Sequence, residues 1–299
     1  MPPVGLESLA DPRGRFAVLA MDQRGTLRRM LDAAGQPSEP DDMARFKTDV
    51  VSALAPLCSG VLLDAEYGVP ALRAAGGLPD GVGLLVAADP PEKARYNGEH
   101  RTVVDPSRNA AWVRGQGGDA LKYLVQWEPD RPAGDGPDLA EEARAAVREI
   151  VDDCRRTGLP SVIEPLVVFG PSVQDPTPAQ HVEAVIRSAA LLAEIRPDML
   201  KLEWPGGPAG CEKVTAALGP VPWALLSAGV SYEDFLERAR IALDAGAGGV
   251  IAGRSLWGEA VRLSGEERRA FLREVSVPRL KGLVEVLAEH GRSWKEVAR

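Results

Sequence analysis

Cysteine and histidine are scarce in this chain, three of each in 299 residues. Cys58, Cys154 and Cys211 are too few and too scattered for a disulfide framework or a zinc cluster, so a reducing, cytoplasmic setting is the expectation. His100, His181 and His290 lie far apart, with no H-x-H or HExxH spacing. No metal site is assigned, because a centre that leans on several imidazoles needs such spacing. Positive charge is also short: Lys plus Arg is 35 against 43 Asp plus Glu, a formal net charge of −8. That excludes a nucleic-acid partner, which would demand a basic face. Long apolar runs are missing as well. The longest uncharged apolar stretch, Leu218–Val230, contains two prolines and falls short of the roughly 20 residues that cross a bilayer, so no membrane partner is expected. The opening residues MPPVGLESLADPRGR carry no apolar signal core, and no secretory leader is expected. A homo-oligomer stays open.

What the chain does have is a regular alternation. Eight short apolar runs recur along it: Phe16–Met21, Gly60–Leu63, Val82–Ala87, Ala120–Val125, Ser161–Val168, Met199–Leu202, Trp223–Leu226 and Gly249–Ala252. Runs rich in Val, Leu and Ile and bounded by Gly, Pro and Asp read as parallel strands buried on both faces. Amphipathic stretches lie between them. Asp138 with Glu141 starts one helix, whose stripe Leu139, Ala143, Val147, Ile150 and Cys154 ends at Gly158. Thr177, Pro178 and Gln180 combine an N-cap, an N1 proline and a capping-box glutamine. Ser231 with Asp234 opens a third helix, which closes at Gly246.

Eight strands alternating with helices over about 250 residues predict a (β/α)₈ TIM barrel over residues 14–263, with a C-terminal helical extension over 264–299, the whole forming one domain. An open doubly wound sheet is the alternative, weakened by the lack of a GxGxxG after the first run. The Pro/Gly-rich stretch Gln126–Pro137 is long for an α/β connection and reads as a lid or a merely mobile loop.

In a barrel, the active site is built from the C-terminal strand ends. Those ends carry Asp22, Gln23 and Arg24, then Asp64 and Glu66, Lys122, Glu164, Lys201 and Glu203, Ser227, and Arg254. Lys122, Glu164 and Lys201 lie inside apolar runs, where a charge is costly unless paired. Period two puts Lys201 and Glu203 on one face, so a structural ion pair is the plain reading of those two. Three charged residues on three strands favour chemistry instead. A lysine desolvated near another cation becomes a nucleophile toward carbonyls, and a carboxylate beside it moves protons. Gly229 after the seventh run and Gly253 after the eighth, with Ser227 and Arg254, form the paired glycine loops where this fold binds phosphate. Arg24, Lys122, Lys201 and Arg254 are expected to make the mouth cationic. Trp257, just past Arg254, is placed to wall a ligand.

The segments FAVLAMDQRGTLRRML, VLLDAEYGVPAL, GGDALKYLVQW, VIEPLVV, MLKLEWP, WALLSAGVS and GVIAGRSLW resemble the class I (Schiff-base) aldolase family that includes tagatose 1,6-bisphosphate aldolase and 6-sulfofructose 1-phosphate aldolase. They span nearly the whole chain. The resemblance implies Lys201 as the Schiff-base lysine, Glu164 as the acid/base carboxylate and Lys122 as the second active-site lysine. It implies Gln23 and Arg24 as substrate contacts, and Ser227, Gly229, Gly253 and Arg254 as the site of the C1 phosphate. Asp22 and Asp64 join the expected substrate contacts. No cofactor is implied. The partner is a sugar phosphate, cleaved to dihydroxyacetone phosphate and a three-carbon aldehyde, with Lys122 keeping Lys201 neutral. DAEYG and the glycine after DQR resemble the tagatose branch. The short loop after Glu164 and the RTVVDP segment resemble the sulfofructose branch. A non-covalent isomerase and a non-catalytic sugar-phosphate sensor are the rival readings.

Overall fold

Strands apolar on both faces need a ladder partner on each side and helices over the outside. The computed structural model, which describes residues 5–132, 136–171 and 173–297, meets that need by closure. All eight expected runs are strands: β1 (Phe16–Met21), β2 (Gly60–Asp64), β3 (Gly83–Ala87), β4 (Ala120–Trp127), β5 (Ser161–Val167), β6 (Met199–Leu202), β7 (Trp223–Leu226) and β8 (Gly249–Ala252). Each pairs in parallel with its sequence neighbours, and β1 also pairs with β8, Phe16 opposite Gly249. The protein is a (β/α)₈ TIM barrel, and the doubly wound alternative is excluded by that last pairing. A two-stranded hairpin, Arg95–Tyr96 with Glu99–His100, is inserted after β3.

Helices α1 (Gly25–Ala33) and α2 (Pro40–Leu54) follow β1, then α3 (Gly68–Ala74), α4 (Ala110–Gly115), α5 (Leu139–Thr157), α6 (Pro178–Ala193), α7 (Pro208–Leu218), α8 (Tyr232–Asp244) and the short α9 (Arg254–Trp257). The three start signals operate as read. Asp138 accepts from the Glu141 amide, Thr177 and Gln180 form a reciprocal capping box, and Ser231 accepts from the Asp234 amide. Gly158 ends α5 in the left-handed conformation, φ 64°.

The C-terminal extension contains α10 (Gly265–Phe271), α11 (Val277–His290) and α12 (Trp294–Val297). α11 lies on the outside against α8 and α2, burying Leu280, Leu283 and Leu287. The chain then turns under the barrel. The Trp294 ring stacks on Phe16 at 6.4 Å, and its amide donates to Gly14 O at 2.8 Å. An N-terminal turn, Leu6–Leu9, covers the same end; its Ser8 carbonyl passes so close to Gly83 that a Cβ there would lie 2.1 Å from it. That approach requires glycine.

Inside the barrel the floor is apolar. Ala20, Leu62, Ala87, Ala120, Val162, Met199, Ala224 and Ile251, one from each strand, belong to a single buried cluster. Because strand side chains alternate, the next inward position is two residues on. Those positions are Asp22, Asp64, Asp89, Lys122, Glu164, Lys201, Leu226 and Gly253. The apolar floor thus sets a mostly polar layer at the C-terminal end of the barrel. Among the described residues no helix is long and apolar enough to cross a membrane.

Candidate active site

Lys122, Glu164 and Lys201 stand on adjacent strands β4, β5 and β6, directly above Ala120, Val162 and Met199. Glu164 is the bridge. Its Oε1 lies 2.8 Å from Lys201 Nζ and its Oε2 2.7 Å from Lys122 Nζ. All three are buried, 4% exposed at Lys201 and 2% at Lys122. The partner of Lys201 is therefore Glu164 and not Glu203. Glu203 instead accepts from the Val167 amide at 2.8 Å and faces His181 Nε2 at 3.3 Å, and burial pushes its carboxyl up.

Lys122 is the most heavily neutralised group in the layer. Besides Glu164 it meets Asp22 Oδ2 at 2.8 Å and Asp89 Oδ1 at 3.4 Å. Burial opposes its charge, but Asp22, Asp89 and Glu164 outweigh that and hold its pKa above the ordinary lysine range. Burial likewise opposes the two aspartates, yet Lys122 and Lys201 hold Asp22, and Lys122, Lys93 and Arg24 hold Asp89, well below the usual carboxylate range. The centre is thus a charged network, with Lys122 a fixed cation and Lys201 reached only by Glu164 among the described ion pairs. A lysine with one proton-accepting neighbour suits a nucleophile; a lysine held by three carboxylates suits a permanent positive charge.

Asp89 is the residue that reading the strands left out. It follows β3 at the inward position after Ala87, is 1% exposed, and binds Arg24, Lys93 (2.6 Å) and Lys122 together. The signal available was its place at a strand end, like Asp22 and Asp64. Arg24 is consequently not a free cation. Its guanidinium is taken by Asp89 and by Glu66 Oε2 at 3.4 Å, and the expected cationic mouth is charge-paired on this side.

Asp64, expected to touch substrate, is 0% exposed. One oxygen accepts from the Tyr67 amide at 2.7 Å, and the other lies 2.6 Å from Lys47 Nζ. Lys47 reaches in from the apolar stripe of α2 and also donates to Met21 O and Gln23 O, so this pair ties the C-terminal end of β1 to α2. Gln23 is half-buried at that end, close enough that a Cβ on Gly253 would sit 3.4 Å from its Nε2.

The two glycine loops meet. Ser227 Oγ accepts from the Gly253 amide at 3.2 Å, and Arg254 donates to Ala228 O at 3.1 Å while its guanidinium lies beside Gly229. Ala228 and Gly229 are both left-handed, φ 51° and 82°. Such a strained turn costs ~1–3 kcal/mol for the non-glycine residue, and an observed outlier of this kind points to function. Trp257, expected to wall a ligand, is fully buried, with Nε1 donating to Ala20 O at 3.2 Å and its ring against Phe46. It is packing behind β1.

Gln126 and Trp127, the start of the expected lid, belong to β4, and Trp127 Nε1 donates to Ser188 at 2.9 Å. Arg131 is tied to Glu99 at 2.7 Å, and residues 133–135 of that stretch lie outside the described residues. All three cysteines are free and buried. Among the described residues no group of three His, Cys, Asp or Glu side chains is arranged to hold a metal ion. The acidic groups of the mouth point at lysine and arginine instead.

The fold and site together are a TIM barrel with two buried lysines sharing one carboxylate above an apolar floor. Comparison with known proteins places it further. The DeoC/LacD family aldolase profile matches residues 16–259, and the chain belongs to that family. A tagatose 1,6-diphosphate aldolase of Listeria monocytogenes serotype 4b is 31% identical, over 90% of this chain and 85% of its own. Tagatose 1,6-diphosphate aldolase 2 of Streptococcus agalactiae serotype III is 30% identical, over 97% and 96%. Among solved structures, an archaeal fructose 1,6-bisphosphate aldolase superposes with TM-score 0.66 at 19% identity, covering 95% of this chain and 98% of its own. The Plasmodium falciparum fructose-bisphosphate aldolase does so with TM-score 0.72 at 14%, covering 96% and 93%.

Proposed function

We propose that this enzyme is a class I aldolase that cleaves a ketohexose 1-phosphate bearing an anionic group at C6, of the tagatose 1,6-bisphosphate type, to dihydroxyacetone phosphate and a three-carbon aldehyde. The observation that carries the reading is the Lys201–Glu164–Lys122 bridge on three adjacent strands. The names of the curated relatives support tagatose 1,6-bisphosphate as the substrate.

Breaking the C3–C4 bond leaves an electron pair on C3, which needs a sink. Lys201 supplies it. Its proton passes to Glu164, and the free amine attacks the C2 carbonyl to give a carbinolamine. Glu164 returns the proton to the C2 hydroxyl, water leaves, and a Lys201 iminium remains. A carboxylate then takes the C4 hydroxyl proton, the C3–C4 bond breaks toward the iminium, and the aldehyde departs. The enamine is protonated at C3, and water releases dihydroxyacetone phosphate. Among the described residues Glu164 is the carboxylate within ion-pair distance of Lys201, so it serves these transfers. Lys122, 2.7 Å from the other oxygen, holds Glu164 in place. Ser227, Gly229, Gly253 and Arg254 receive the C1 phosphate.

A coupled assay for dihydroxyacetone phosphate, run with tagatose 1,6-bisphosphate, 6-sulfofructose 1-phosphate and fructose 1-phosphate, tests the reading. Release of dihydroxyacetone phosphate supports it, and the ranking of substrates identifies the C6 group. Interconversion of ketose phosphates without that product indicates an isomerase, and binding without turnover a sensor; either overturns it.

A further inference from the structure

The mouth of the barrel contains one carboxylate that neither the chemistry nor the C1 phosphate site employs. Glu66 follows β2 and is partly exposed, 25% of its side chain. Two guanidiniums grip it from different loops: Arg108, after β3, at 2.6 Å from Oε1, and Arg24, after β1, at 3.4 Å from Oε2. Both arginines are nearly buried, 11% and 12% exposed. Arg24 is anchored behind by Asp89, and Arg108 is stacked on the Trp112 ring at 4.8 Å. Among the described residues the buried Arg108 Nε has no partner, and Arg108 Nη2 makes a long bond, 3.4 Å, to Ala87 O. Two nearly buried guanidiniums around one partly exposed carboxylate form an anion site in which the protein supplies its own anion.

Its position suits a second anion of the substrate. In a closed ring of eight strands, β3 stands opposite β7. The Ser227–Gly229 loop follows β7, and Arg108 enters from the β3 side. The lysines and Glu164 project from β4, β5 and β6 between the two. A ketohexose with its C1 phosphate on the β7 and β8 loops and its C2 at Lys201 therefore extends its far end toward Arg108.

We propose that Arg24 and Arg108 form the subsite for the anionic C6 group and that Glu66 is its resident occupant, displaced when such a substrate binds. This inference rests on the aldolase reading for the identity of the ligand, but not for the existence of the site. Glu66 then sets specificity. It neutralises the arginines when C6 is a hydroxyl, and it competes with a C6 phosphate or sulfonate.

The test is the ratio of kcat/KM for tagatose 1,6-bisphosphate to that for fructose 1-phosphate. In Glu66→Gln the ratio rises about fivefold or more, through KM, because a neutral amide competes poorly for guanidinium. In Arg108→Gln, and more mildly in Arg108→Lys, it falls, by about tenfold or more for the glutamine. A ratio that stays within about twofold in Glu66→Gln and Arg108→Lys overturns the proposal, since a structural ion pair would change both substrates together. If the wild-type enzyme cleaves neither sugar, the aldolase reading fails and sulfate binding decides the site. In an Arg254→Ala background, calorimetry with sulfate shows tighter binding for Glu66→Gln and weaker binding for Arg108→Lys; equal affinities overturn the inference.

Discussion

Glu164 and Lys201 touch across neighbouring strands, Oε1 to Nζ at 2.8 Å, while the other Glu164 oxygen holds Lys122 at 2.7 Å. One carboxylate thus connects an amine that has no other described ion partner to an ammonium fixed by three. The pairing sets the two lysines apart: among the described ion pairs Lys201 has Glu164 alone, whereas Lys122 is held by three carboxylates that keep its pKa above the ordinary lysine range.

Glu164→Gln keeps the shape of the bridge and removes its ability to accept a proton. Its kcat falls by ~10² or more, the scale of a lost general acid–base group, with KM changed much less. Steady-state kinetics of the purified variant checks this; an unchanged kcat moves the proton transfers to Asp22 or Glu203.

Asp89 holds Lys122, Lys93 and Arg24 together, so Asp89→Asn leaves buried cations short of an anion. It destabilises the fold at pH 7 by about 3 kcal/mol or more. The sign of the pH dependence follows from its depressed pKa. The unfolded chain binds the proton first, so the stability Asp89 contributes is complete above about pH 4 and is lost as pH falls below that. The gap between wild type and Asp89→Asn in urea unfolding therefore narrows by roughly 1 kcal/mol at pH 3. A gap constant from pH 7 to pH 3 contradicts the assignment.

Arg254 sits between the two glycine loops, bonded to Ala228 O. Arg254→Ala weakens every substrate with a C1 phosphate about equally, by roughly 1.5–3 kcal/mol in kcat/KM for a lost charge-assisted contact. Comparing tagatose 1,6-bisphosphate with fructose 1-phosphate checks it; a loss confined to the bisphosphate would assign Arg254 to the C6 end.

The barrel was legible because parallel strands covered on both sides must be apolar throughout, and the eight runs FAVLAM to GVIA say so directly. The centre was legible for a related reason: Lys122, Glu164 and Lys201 are charges inside those runs, at the inward parity. Their partners were not legible. Lys201 and Glu203 share a strand face in the sequence, yet Glu164 reaches Lys201 from the next strand, a contact that depends on register. Arg24 read as free because Asp89 is 65 positions away. Lys47 carried a signal in its place on the Met43, Phe46 and Val50 stripe of α2, and its burial accounts for why Asp64 faces inward to the protein and not to substrate.

The account depends most on a covalent bond between Lys201 and the substrate carbon. Borohydride reduction in the presence of dihydroxyacetone phosphate, followed by peptide mass spectrometry, measures that bond. The expected result is one reduced adduct, on Lys201, absent from an inactive Lys201→Ala variant. An adduct on Lys122 would exchange the two lysines, and cleavage that proceeds with no trapped lysine, or in Lys201→Ala, would contradict the mechanism.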